Sequence, residues 1–517
     1  MDAAKSCLGY AVQEEGDLAS GDYDAVVFVA STELDSEAQL RPVKAALDKA
    51  AQLDSAIQEH ISVLEVGLPA RRLVYSPVGK LVRDYHDVRS FAEATSSGVT
   101  RALEAGAKAP LLVLPEHKWF PSCQLASLLG ALEALYVPLQ LREDVPAKSS
   151  KLSKLGVWTR GKDGAEIVKL ATALECGRKV ARDVGASDPE RMSPAKVQEY
   201  VEEVFRGSDV KLEVVMDAGR LLKEYPLFSA VDRASRAVER YQGRIVYLTY
   251  EPRGAVRETL YLVGKGVTYD MGGADIKITG NMIGMSRDKC GAAAVAGFMK
   301  VLSLLRPEGV KVVGAMPLVR NNIGAECYVA DEIITARSGK RVRVVNTDAE
   351  GRMILADVLC HAKEMAVSVT QPHLVTIATL TGHAERSVGK GYTIAMDNGP
   401  ARQLKTAQKL QERGESLGDM FEISTLRRED VKNYSGHGNE GVDVLQLDNK
   451  SATKLSRGHQ GAGTFLVLAS GLDEHGLDSD RPLKYTHLDI APSATTSTDE
   501  GTGCPILGLY AHFVRKQ

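Results

Sequence analysis

The sequence predicts an α/β protein. A smaller N-terminal α/β domain precedes a C-terminal α/β/α catalytic domain with a mixed, largely parallel central sheet. Three observations predict it. Short, almost continuously apolar runs alternate with stretches of helical spacing. The runs beyond residue 240 are longer and stronger than those before it. Between the two series, the segment 163–184 has an amphipathic pattern and is followed by a break at GASDPERMSP (185–194).

In the first series, AVVFVA (25–30), LVYSPVG (73–79) and PLLVLP (110–115) read as buried strands, and segments 39–60, 88–107 and 123–135 read as helices. Ser193-Pro194 supplies an N-cap and a first-turn proline for a new helix. These features predict an N-terminal domain over 1–165, a linker helix over 166–190 and a catalytic domain over 191–517. In the second series, strands are expected at 243–250, 259–267, 310–319, 373–380, 392–398 and 484–491. Helices are expected at 292–305 and 351–365. In sheets of this kind chemistry sits beyond the carboxyl ends of the strands.

Composition narrows the function. Lys and Arg number 64 and Asp and Glu 67, a net charge of −3, which argues against an overall basic nucleic-acid binder. Seven cysteines without a C-x-x-C argue against a disulfide framework and favour a reducing compartment. The N-terminus has no secretory pattern and no apolar run approaches a membrane span, so a soluble, cytoplasmic protein is expected, with no membrane partner. H-E-x-x-H and a P-loop are both absent.

Two segments concentrate charge among glycines directly after apolar strands: VGKGVTYDMGGADIKITGNMIGMSRDKCG (263–291) and VVNTDAEGRMILADVL (344–359). They carry Asp270, Asp288, Asp348 and Glu350. If 348–350 is extended, Asp348 and Glu350 point to one side, and Gly351 allows a sharp turn into a helix starting near Arg352. Four carboxylates in one pocket repel one another unless cations are present, and two divalent ions would balance them. On spacing alone, the reading of these residues as caps and turn formers stays open. Lys265, between two glycines at a strand end, and Lys277 suggest carbonyl polarisation or a deprotonated amine ligand. His437 and His459 lie in Gly-rich stretches that could rim a pocket, and Cys290 reads as a small buried filler.

NTDAEGRM (346–353), GKGVTYDMGGADIK (264–277) and ATLTG (378–382), in this order and separation, resemble the signature blocks of the leucyl (cytosol) aminopeptidase family over roughly 170–517. The resemblance implies a metallo-aminopeptidase acting on peptides with a free N-terminus. It implies two zinc ions, one exchangeable for Mn²⁺ or Mg²⁺, held by Lys265, Asp270, Asp288, Asp348 and Glu350, with Asp270 and Glu350 bridging. It implies that Lys277 polarises the scissile carbonyl and that Arg352 holds bicarbonate as general base. It places Met285, Thr379, Leu380 and Gly382 against the substrate. The family assembles as hexamers, so a homohexamer is expected. A DNA-binding or scaffold role without peptidase activity is the alternative, and the near-neutral charge argues against nucleic acid as a partner. Lys289-Cys290 after Asp288, and Met271 after Asp270, depart from the family's usual small residues and put side-chain preference in doubt.

Overall fold

Short apolar runs with no polar alternation suit strands buried on both faces, and the first of them, 25–30, is buried at every residue. A computed structural model describes residues 7–30, 37–160, 163–278, 282–436, 441–448, 456–497 and 500–515. The chain divides into two units, residues 1–179 with 415–418, and residues 180–414 with 419–517.

The first unit contains a six-stranded sheet of β1 (Ala11–Glu14), β2 (Ala25–Ala30), β3 (Ser62–Glu65), β4 (Arg72–Pro77), β5 (Pro110–Val113) and β6 (Lys154–Trp158). Its order is β1-β6-β5-β2-β4-β3. Neighbours are parallel except β3, which runs antiparallel to β4. Helices Arg89–Glu104 and Cys123–Ala134 occupy two of the expected helical segments. The third, 39–60, is shorter than its apolar spacing suggests. The α-helix is Arg41–Ala51, and the Asp54 side chain then accepts the Ala56 N–H, turning the chain before a single 3₁₀ turn at Ile57–Glu59.

Helix Gly164–Ala186 continues from the sequence of the first unit into that of the second. The second unit is built on a nine-stranded sheet. Its strands are β7 (Lys211–Val215), β8 (Arg244–Tyr250), β9 (Glu258–Gly264), β10 (Gly266–Asp270), β11 (Val310–Asn321), β14 (Pro372–Ala378), β15 (Tyr392–Asp397), β16 (Met420–Thr425) and β18 (Lys484–Asp489). The order is β16-β15-β18-β14-β9-β11-β8-β7, with β10 pairing β11. Pairs β16–β15, β18–β14, β14–β9, β9–β11 and β10–β11 are parallel, and the other three are antiparallel. The sheet is therefore mixed and largely parallel. A small second sheet joins β12 (Ile333–Thr335), β13 (Arg341–Arg343) and β17 (Val444–Leu445).

Helices cover both faces of the large sheet. Tyr261, Val263 and Ala315 share a core with Met353, Leu355 and Leu359 of helix Glu350–Ala366. Gly314, next to Ala315 and so on the other face, lies under Val295 of helix Cys290–Leu305. Helix Glu350–Ala366 is anchored by buried Asp357, whose carboxylate accepts the Arg337 and Leu227 N–H groups at 2.8 and 2.6 Å. Burial pushes this carboxyl up to about 7. Among the described residues, no helix is long and apolar enough to cross a membrane.

Candidate active site

The site lies at the carboxyl ends of β9, β10, β14 and β18, where parallel strands stop and loops take over. Lys265 stands between the end of β9 and the start of β10. Its N–H donates to Ile377 O at 2.9 Å and its carbonyl accepts the Ala292 N–H at 2.7 Å. This close passage leaves no room for a side chain beside it. A Cβ on Gly264 would lie 2.3 Å from Gly291 O.

Lys265 is thereby directed into a buried carboxylate cluster. Its Nζ lies 2.7 Å from Asp288 Oδ1 and 2.9 Å from Glu350 Oε1, and donates to Thr379 O at 3.1 Å. Lys277 Nζ lies 2.8 Å from Asp270 Oδ2 and also contacts Asp348. Thr379 Oγ1 donates to Asp288 Oδ1 at 2.7 Å.

The electrostatics follow from crowding. Burial raises the Asp288 carboxyl well above the carboxylate range, and Glu350 and Asp270 add to this against the pull of Lys265. Partial desolvation, together with Asp270 and Glu350, pushes Asp348 up to about 7 although its side chain is open to the cavity, and Lys277 opposes this. Burial alone would lower both lysines, yet the surrounding carboxylates outweigh it and hold them above the ordinary lysine value. Four carboxylates thus face two ammonium groups, an arrangement short of positive charge.

That shortage bears on metal ions. One oxygen from each of Asp270, Asp288 and Glu350 lies within 4.8 Å of the others. Asp288 Oδ2 is buried with no hydrogen-bond partner. Clustered anionic oxygens with unused lone pairs suit hard or borderline divalent cations. The residues fit such ions.

A cavity of about 740 Å³ opens on the cluster and is lined by all eleven residues to which the family resemblance gives a metal, catalytic or substrate role: Lys265, Asp270, Lys277, Met285, Asp288, Asp348, Glu350, Arg352, Thr379, Leu380 and Gly382. Two details differ from the sequence reading. Residues 348–350 are not extended. The Asn346 side chain accepts the Asp348 N–H at 2.7 Å and draws 347–349 into a 3₁₀ turn, so helix Glu350–Ala366 starts at Glu350. Gly351 is therefore not a turn residue. It lies inside the helix because a Cβ there would be 2.3 Å from Lys265 Cε. His459 does not line the cavity. It is buried, with Nε2 3.0 Å from Ser424 Oγ, and burial lowers it to about 4. His437 lies outside the described residues. Cys290 is buried, and burial raises its thiol to about 11, which makes it unreactive.

The structure also brings in residues that sequence reasoning missed. Asn321, at the end of β11 and wholly buried, donates through Nδ2 to Asp270 Oδ1 at 2.7 Å and reaches Glu350 Oε2 at 3.4 Å. Asp489, at the end of β18, accepts the Thr381 hydroxyl at 2.8 Å and the Leu380 N–H at 3.2 Å. Tyr328 donates to Thr347 O at 2.8 Å. The one available signal was a polar residue closing an apolar strand, which Asn321 satisfies and Asp489, at the end of KYTHLD, does not.

Residues 179–510 match the family model for the catalytic domain of the cytosol aminopeptidase family. The chain belongs to that family. Membership makes it a peptidase, a hydrolase of peptide bonds, with aminopeptidase activity as the family trait. A Caenorhabditis elegans protein provisionally named an aminopeptidase is 39% identical over 519 residues, covering 99% of each chain. A probable cytosol aminopeptidase of Roseiflexus castenholzii is 29% identical over 440 residues, 83% of each. The solved structure of the bottromycin maturation enzyme BotP in complex with Mn superposes with a TM-score of 0.75 at 22% identity, covering 95% of this chain and 98% of that one. At that identity the likeness is one of fold: this cytosol aminopeptidase family member shares its mixed α/β architecture.

Proposed function

We propose that this chain is a two-metal aminopeptidase that releases N-terminal residues from peptides. The observation that carries the proposal is the buried set Asp270, Asp288 and Glu350, joined by Asp348, with Lys265 and Lys277 inserted among them. Lys265, Asp270, Asp288, Asp348 and Glu350 would hold two divalent ions: zinc, with Mn²⁺ or Mg²⁺ possible at the site nearer Asp348. Lys265 would ligate as the neutral amine, so ion binding must release its proton. When bound, such ions supply Lewis acidity to a carbonyl and acidify a water.

The chain's own groups do the rest. A free α-amine would complete the ligand set of an ion held in this cluster and an acylated one would not, which selects a free N-terminus and gives exopeptidase action. Lys277, held on Asp270 and Asp348, presents N–H donors to the oxyanion that develops from the scissile carbonyl. Arg352, with Nη1 on Gln446 O at 2.9 Å and Nε buried without a partner, has donor capacity left for a small anion. Arg352 would hold bicarbonate there, which would supply a general base. Met285, Thr379, Leu380 and Gly382 would contact the substrate from the cavity wall. A cytoplasmic homohexamer, without nucleic acid or membrane partner, completes the proposal.

Hydrolysis of aminoacyl-anilides with added Zn²⁺ or Mn²⁺ tests it. Activity is expected on the free amine, lost on N-acetylated substrate, lost on chelation and lost in Asp348→Ala. Activity that survives both chelation and Asp348→Ala would rule out the metal assignment.

A further inference from the structure

The residues that hold the cluster in place include one from a distant part of the chain. Gln446 directly follows β17 and is wholly buried. Its N–H donates to Arg343 O at 2.9 Å, fixing it to the strand just before the loop that carries Asp348. Its Oε1 accepts the N–H groups of both Val345 and Asn346 at 2.9 Å. Its Nε2 donates to Ala349 O at 3.2 Å. Its backbone carbonyl accepts Arg352 Nη1 at 2.9 Å.

These bonds are chemically selective. Residues 345 and 346 lie between β13 and the 3₁₀ turn at 347–349, outside any ladder or helix that could take their backbone N–H groups. One primary amide satisfies two donors and one acceptor of that segment at once, using both lone pairs of its oxygen. A carboxylate could accept twice but could not donate to Ala349 O. A shorter amide on the same backbone could not reach. The segment so bridged bears Asp348 and leads directly into Glu350 and Arg352, and none of the side-chain bonds goes to the carboxylates.

We infer that Gln446 is a positioning residue of the peptidase site. It clamps segment 345–349 from the small β12–β13–β17 sheet, so that Asp348 and Glu350 meet the ions, and Arg352 meets its anion, in one fixed geometry. This rests on the two-metal reading above. Groups that orient metal ligands typically change metal affinity or activity about 10–100-fold when removed.

The test compares wild type, Gln446→Ala and Gln446→Glu as full chains, each verified as folded by circular dichroism. In the metal-free chains, hydrogen exchange is read over peptides spanning 343–352. Mn²⁺ affinity is read by calorimetry, and kcat and KM on an aminoacyl-anilide complete the set. The expected result for Gln446→Ala is faster exchange confined to 343–352, Mn²⁺ affinity lowered about tenfold or more, and kcat lowered about tenfold or more with KM within about threefold. Gln446→Glu, keeping two of three side-chain bonds, should fall between, and it carries the test if the alanine variant does not fold. Unchanged exchange at 343–352, or Mn²⁺ affinity and kcat within twofold of wild type in both variants, would overturn the inference. A wild-type chain that binds no Mn²⁺ would instead overturn the two-metal reading on which it stands, and the exchange data would separate the two failures.

Discussion

Glu350→Gln is expected to abolish tight divalent-cation binding and to lower kcat/KM on aminoacyl-anilides by roughly a thousandfold or more, since activation of the attacking water is lost with the ions. Glu350 is 1% exposed, faces Lys265 Nζ at 2.9 Å and lies near Asn321 Nδ2. Glutamine keeps the shape and one acceptor oxygen, so Lys265 retains a partner and the helix that begins here is preserved. The amide removes the negative charge that raises both Asp288 and Asp348. Those two carboxyls should therefore ionise more readily in the metal-free variant. Calorimetric titration with Mn²⁺, together with the rate assay, checks the prediction. An active variant with wild-type metal affinity would show that Glu350 is not a ligand.

Lys277→Met is expected to separate chemistry from metal binding. Losing one preorganised donor at a developing oxyanion costs about 10²–10³ in kcat, while KM and the number of bound ions should change little. In the metal-free chain the same substitution removes a cation held 2.8 Å from Asp270 and in contact with Asp348. Asp348, already raised to about 7 despite Lys277, would rise further, so metal binding in the variant should begin to weaken at a higher pH than in wild type as pH falls. Arginine should not restore the rate, because its planar fork is larger and its donors are directed differently. Steady-state rates and metal stoichiometry for Lys277→Met and Lys277→Arg provide the check. Equal losses of kcat and of bound metal would place Lys277 among the structural supports of the cluster instead.

Much of the site was legible because its residues sit in short blocks whose character is local. Lys265 directly precedes β10 and Asp270 ends it, and Asp348, Glu350 and Arg352 lie within five residues. Central strands were legible for a similar reason: β2 and β14 are apolar along almost their whole length. The edge strands β7 and β16 were not, since KLEVV and MFEIST carry charged or exposed residues where one side meets solvent. The β12–β13–β17 sheet escaped notice because its strands are two or three residues long and carry no periodicity. Two local inferences failed where a side chain overrode a pattern. Asn346 capped what looked like an extended stretch, and Lys265 passing overhead, rather than a turn, requires Gly351. Gln446 and Asp489 carried no signal in the sequence, and Asn321 only its place at the end of an apolar strand. Their partners in the site lie 29 to 109 residues away, and no spacing rule reaches across a fold.

The central claim is that one buried carboxylate cluster holds two ions. It is tested most directly by anomalous diffraction from crystals of the full chain grown with Mn²⁺. The account predicts two peaks per chain, both within coordination distance, about 2.0–2.6 Å, of oxygens of Asp270 and Glu350. One should also contact Asp288 and Lys265, and the other Asp348. No peak in the cluster, or a single peak that contacts neither Asp270 nor Glu350, would contradict it.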